Sequence, residues 1–149
     1  MSKRIVVSSL VGAVAVGGIA IGGIASAATP AEPTVENGSA RYVAPTATAD
    51  GSVTFTAKVT DDSGVRSLKV LAWPKSSDLK PTAEDMAHVE SATCEKSTAE
   101  TSRCTYTLAV GREEAADLPE GAWHISALAT AEDGDTLFVP EAAAFDVTR

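Results

Sequence analysis

Gly51-Ser52-Val53-Thr54-Phe55-Thr56-Ala57-Lys58-Val59-Thr60-Asp61-Asp62-Ser63-Gly64 is the stretch whose reading decides the fold. From Ser52 to Thr60 every second residue is apolar. Val53, Phe55, Ala57 and Val59 share one side, while threonine, serine and lysine take the other. That period of two marks a strand with one face in a core and one in water. Asp50-Gly51 opens it as a turn. Asp61-Asp62-Ser63-Gly64 closes it, because short Asp and Ser side chains bond back to their own backbone and glycine accepts positive φ. Val65 to Trp73 then resumes as a strand with Leu68, Val70 and Ala72 on one face, and Pro74 ends it.

The same punctuation continues in both directions. Val35 to Val43 reads as a weak first strand, with Asn37-Gly38-Ser39, a sequon in form, read as a turn. Thr82-Ala83-Glu84-Asp85 resembles a helix start, with Met86 and Val89 as the apolar side of a short helix. A strand near Glu90 to Cys94 follows, then a polar loop from Glu95 to Arg103, then the alternating run Cys104 to Val110. Arg112 to Leu118 suits one helical turn. Ala122 to Ala131 is a strand with Trp123, Ile125, Ala127 and Ala129 facing in, closed by the turn Glu132-Asp133-Gly134-Asp135. Thr136 to Val139 and Ala143 to Thr148 form a last strand interrupted by Pro140, which requires an edge or a bulge. About seven short strands at this spacing predict an all-β, immunoglobulin-like or fibronectin-like antiparallel sandwich, with a short helix inserted in the middle.

The N-terminus is of another kind. Lys3 and Arg4 precede an uncharged run from Ile5 to Ile24, and Ala25-Ser26-Ala27 has the small-x-small form of a cleavage site. An apolar run of roughly 20 residues is also long enough to span a bilayer as a retained anchor. Its five glycines and the flank Thr29-Pro30-Ala31-Glu32-Pro33 argue against that. The expectation is therefore a signal peptide over residues 1–27, a flexible leader over 28–34 and one domain over 35–149. No cysteine follows the cleavage site to carry a lipid, and Phe145-Asp146-Val147-Thr148-Arg149 is no sorting tail. The expected product is a free, secreted, extracellular chain.

Removing 27 of the 149 residues leaves 122, enough for one core and short for two. Losing Lys3 and Arg4 leaves ten basic against twenty acidic residues, a formal charge of −10. Such a surface repels nucleic acid and anionic membranes, since phosphate binding relies on Lys and Arg. Cys94 and Cys104, alone in an exported chain, are expected to pair as a structural disulfide. Closing so short a loop stabilises by about 2–3 kcal/mol in the chain-entropy model.

Two local patterns resemble bacterial immunoglobulin-like domains. Asp61-Asp62-Ser63-Gly64-Val65 with Leu68-Lys69-Val70 is similar to their second-to-third strand corner. Leu118-x-x-Gly121-x-Trp123-x-Ile125-x-Ala127-x-Ala129 with Glu132-Asp133-Gly134 is similar to their sixth strand. There the position of Trp123 is commonly a tyrosine whose hydroxyl ties down a corner; tryptophan carries no hydroxyl. Over nearly its whole length the chain resembles a family of small secreted actinobacterial proteins catalogued as a domain of unknown function. The segments that carry this resemblance are Glu36 to Tyr42, Leu68 to Pro74, Glu90 to Cys94 and Phe145 to Arg149, besides the signal. The resemblance implies secretion and a sandwich, and it brings no catalytic residue.

The residues themselves offer little chemistry. The two histidines, His88 and His124, stand at unrelated spacings, and no serine sits in a G-x-S-x-G elbow. Carboxylate pairs such as Asp61-Asp62 and Glu113-Glu114 fall on turns or helix ends, where they have structural work. The expectation is no enzyme. In such a sandwich the loops after the second and sixth strands share one end, which makes Asp61, Asp62, Asp133 and Asp135 the candidate metal ligands and calcium the candidate ion. Two polar turns are the preferred explanation of them, no cofactor is otherwise called for, and a melting temperature little changed by calcium is the expectation. Leu71 and Trp73 point away from Leu68, Val70 and Ala72, and with Leu128 on the neighbouring strand they form a candidate binding patch. The segment from Pro74 to Val89 either covers that patch or leaves it open. Function thus reads as a non-catalytic binding or adhesion module for an extracellular protein or cell-surface component. The alternatives are a structural envelope protein and, third, an enzyme.

Overall fold

Alternation is converted into buried and exposed faces as expected in the computed structural model, which describes residues 32–149. Seven strands form: β1 (Thr34–Val43), β2 (Gly51–Thr60), β3 (Val65–Pro74), β4 (Thr93–Lys96), β5 (Thr101–Val110), β6 (Gly121–Ala131) and β7 (Thr136–Val147), with one helix, α1 (Arg112–Asp117). They make two antiparallel sheets, ordered β1-β2-β5-β4 and β3-β6-β7. This is an all-β sandwich of four strands against three. The chain crosses between sheets at β2–β3, β3–β4 and β5–β6. The signal peptide and most of the leader lie outside the described residues. Among those described, no helix is long and apolar enough to cross a membrane.

The core lies between the sheets. Phe55 and Val59 of β2, Leu68 and Val70 of β3, and Ile125, Ala127 and Ala129 of β6 are fully or almost fully buried. Fully burying a side chain such as Phe55 or Ile125 is worth about 1.5–3 kcal/mol. Trp123 packs beside Phe145 with ring centroids 5.8 Å apart. Its indole N–H donates to the Pro119 carbonyl at 2.9 Å. The corner that a tyrosine hydroxyl would tie is therefore tied by an indole nitrogen, again to backbone a few residues upstream.

Pairing reaches further into the polar segment than composition suggests. Glu95, Lys96 and Thr101 to Arg103, expected as loop, are strand, because β2 continues its ladder along β5 to Thr101 and β5 in turn pairs Glu95 and Lys96. The loop shrinks to Ser97–Glu100. There the Thr98 hydroxyl accepts the amides of Glu100 and Thr101. Cys94 and Cys104 stand directly opposite in the register and form the disulfide. The short helix expected after Thr82 is a single 3-10 turn, Asp85–His88. Thr82 and Asp85 bond to each other reciprocally across its start, and Met86 is buried.

Two bulges shape one side of the sandwich. Asn37 takes φ 55°, so the expected turn at Asn37-Gly38-Ser39 is a bulge inside β1. It brings Gly38 so close to β7 that a Cβ there would collide with the Ala142 carbonyl. In β7, Pro140 to Ala142 stand opposite the single residue Ser126, where the register shifts. Pro140 thus sits at a bulge on an edge strand, where a missing N–H does no harm.

Candidate functional site

The outward patch expected from Leu71, Trp73 and Leu128 exists as a set of neighbours on β3 and β6, but its centre is sealed. Trp73 is only 8% exposed, while Leu71 and Leu128 are half-buried. The segment after Pro74 folds over it: Lys75, Asp78, Leu79 and Lys80 line a small 180 Å3 recess above Trp73, His124 and Glu141. Beneath, the indole meets the His124 ring at 4.8 Å and 45°. Its N–H donates to Ser126 Oγ at 2.9 Å, and that hydroxyl donates to the Pro140 carbonyl at 2.7 Å. An anchor so nearly buried, with its N–H bonded and its ring against His124, is not available to a ligand unless the cover moves. Ser126 is fully buried and was missed in the sequence, since alternation sends it outward between Ile125 and Ala127. Its one legible sign is that it shares the outer face with Trp73 of the adjacent strand.

The same recess holds the only histidine–carboxylate approach within 4 Å among the described residues, His124 Nε2 to Glu141 Oε1 at 3.9 Å. The hydroxyl below it, Ser126, is shut away under Trp73 and spends its proton on Pro140. His88 is exposed, in the 3-10 turn.

At the end carrying the β2–β3 loop and the β6–β7 turn, the acidic residues do converge. Carboxylate oxygens of Asp61, Asp62 and Asp133 all lie within 4.8 Å of one another; Asp135 does not join them. Asp61 is 3% exposed, and its Oδ1 accepts Ser63 N at 2.9 Å and Ser63 Oγ at 2.6 Å. Burial pushes its carboxyl up, but those two hydrogen bonds, together with a smaller contribution from the neighbouring Asp62 side chain, outweigh it and hold Asp61 below the usual carboxylate range. Ser63 Oγ also accepts Asp133 N at 3.1 Å, and Glu132 N donates to Gly64 O at 2.9 Å, so the loop and the turn are stitched together. Arg66, the nearby cation, is occupied: it donates to the Glu132 carbonyl at 2.6 Å and pairs with the Glu132 carboxylate at 3.7 Å. Asp135 is instead raised, by the charge of Asp133 first, then by burial and the charges of Asp61, Asp62 and Glu32. Asp61 Oδ2 is buried with no hydrogen-bond partner.

A third place was not anticipated. β4 pairs only with Ser102 to Thr105, so Tyr106 to Val110 of β5 have no strand partner on their outer side among the described residues. There a cleft of about 380 Å3 opens between the sheets beside α1. Val53, Val110, Trp123 and Phe145 of the core are reached through it, past Leu108, which is 41% exposed, and Leu118.

The family of unknown function DUF5707 matches residues 35–129. The chain belongs to DUF5707. The DUF5707 match runs from β1 to Ala129 of β6, and it includes the disulfide, Trp73, Ser126, Asp61 and Asp62. It stops before Asp133 and before β7, so the acidic end and the Trp73–Ser126–Pro140 chain both draw on residues beyond it. No curated protein matches the chain.

Proposed function

We propose that the protein is an exported, non-catalytic binding module of the immunoglobulin-like, actinobacterial kind that its sequence resembles. In this reading it takes an extended apolar segment of an extracellular protein at the cleft beside α1. One observation carries it: an unpaired stretch of strand edge, Tyr106 to Val110, runs along an apolar cleft that reaches the core. Unpaired edge N–H and C=O groups give an incoming strand its main-chain bonds, and a pocket alongside gives it side-chain selectivity. Export is supported by the disulfide and by the signal-like N-terminus. The acidic composition supports a partner that is neither nucleic acid nor membrane.

Displayed libraries of extended peptides, selected against the purified domain, test this. Selected peptides should shift the amide resonances of Tyr106 to Val110 and should lose binding to Leu108→Lys. Selection of nothing, or of peptides that map elsewhere and ignore Leu108→Lys, would refute it. The cover over Trp73 favours a second reading, a structural envelope protein with no dedicated ligand, and an empty selection is its expected result.

A further inference from the structure

We infer that Asp61, Asp62 and Asp133 form a calcium site joining the β2–β3 loop to the β6–β7 turn. The inference stands apart from the binding cleft, at residues that the cleft does not use. Three loop carboxylates alone would say little, since exposed acidic groups gather at turns without any ion. The deciding feature is Asp61 Oδ2: on a residue 97% buried, it is sealed from water and accepts no hydrogen bond. A buried polar oxygen left without a partner is rare in native structures and points to an ion or water that completes it.

The protein's own donors are spent elsewhere. Both donors of Ser63 go to Oδ1, and Arg66 goes to Glu132. Among the ion pairs of the described residues, none involves Asp61, Asp62 or Asp133. Three carboxylates therefore face one another with no countercharge.

Their spacing suits a single ion. Calcium binds oxygens at 2.3–2.6 Å, so ligands on opposite sides of it are about 4.6–5.2 Å apart. The three carboxylates, all within 4.8 Å, fall inside that diameter. An all-oxygen set without histidine or cysteine selects a hard cation over zinc. Two of the three residues sit on exposed turns, which suits the flexible coordination of calcium better than the strict octahedron of magnesium. Waters complete the sphere on the exposed side. Asp135, a candidate on sequence grounds, is left outside it.

The test uses the exported domain with its disulfide intact, stripped with a chelator and titrated with calcium chloride. For affinities of 10⁻⁴–10⁻³ M, usual for extracellular modules, about 5 mM calcium should raise the melting temperature by about 4–9 °C. Magnesium at the same concentration should do less. Isothermal titration should show one saturable site. Asp61→Asn and Asp133→Asn should abolish the rise, and Glu113→Gln, a control on the exposed face of α1, should keep it. Asp61→Asn risks misfolding, so Asp62→Asn and Asp133→Asn, both at exposed positions, are the decisive variants. A flat titration would overturn the inference. So would a rise that persists in both of those variants, since calcium would then only be screening a net negative chain.

Discussion

Replacing Trp73 by alanine should cost about 3–5 kcal/mol, the range for truncating a buried Trp or Phe. The structure places the residue at the buried end of that range: it is 8% exposed, ring against ring with His124, and roofed by the segment after Pro74. Part of the cost is polar. The indole N–H and Ser126 Oγ form a chain that ends on the Pro140 carbonyl, at the β7 bulge. Trp73→Phe keeps most of the apolar contact and removes the donor, so about 1–2 kcal/mol is expected. Ser126→Ala strips the partner from the buried indole N–H and also releases the carbonyl of Pro140, an exposed residue, and should cost about 1–3 kcal/mol. Because the chain is shared, the double variant Trp73→Phe/Ser126→Ala should lose less than the two single losses added, by about 0.5–1.5 kcal/mol. Urea unfolding of the disulfide-intact domain, followed by fluorescence and circular dichroism, measures all four proteins. A loss below about 1 kcal/mol for Trp73→Ala would refute the covered state and return Trp73 to candidacy as a surface anchor.

Exported material should begin at or near Ala28, which N-terminal sequencing and intact mass decide; a retained Met1 would sink the signal-peptide reading. Reducing the Cys94–Cys104 bond, or replacing both residues by serine, should lower stability by about 2–3 kcal/mol in urea unfolding, since the loop it closes spans only ten positions. Gly38→Ala should cost about 2 kcal/mol or more, because its Cβ meets the Ala142 backbone carbonyl and no side chain can yield; an unchanged melting curve would show that β1 and β7 are not in close contact. Tyr106, pushed up to about 12 by burial and then by Glu90, should ionise well above an ordinary phenol in an ultraviolet titration. Its folded pKa exceeds the unfolded value of 10, so its contribution is complete below pH 10 and fades as pH rises towards 12. Tyr106→Phe should remove that high-pH loss.

The strands were legible because the information that makes them is local. Val53, Phe55, Ala57 and Val59 alternate within nine residues, and Asp61 to Gly64 carry a turn in their own side chains. What went unseen depended on partners distant in sequence. Glu95 to Arg103 reads as loop by composition, yet the two ends of that segment are strand because β2 offers β5 a ladder from 45 or so positions upstream. Ser126 looks like an outward polar residue until Pro140, in a bulge opposite, and Trp73, on the neighbouring strand, meet at its hydroxyl. The same limit applies to the candidate sites. Asp61, Asp62 and Asp133 are nameable from the topology of a sandwich, but the exclusion of Asp135 and the orphaned oxygen of Asp61 are matters of ångströms.

Sequence by itself therefore determined the class of fold, most of its strands and turns, and the disulfide. Alternation, turn chemistry and the pairing of two lone cysteines depend on neighbours in the chain or on counting. Tertiary structure alone decided which surfaces are open. It roofed Trp73 with the segment after Pro74, and it left half of β5 without a partner on its outer side among the described residues because β4 is only four residues long. Burial is a property of what arrives from elsewhere in the chain, and a residue's own neighbours do not record it.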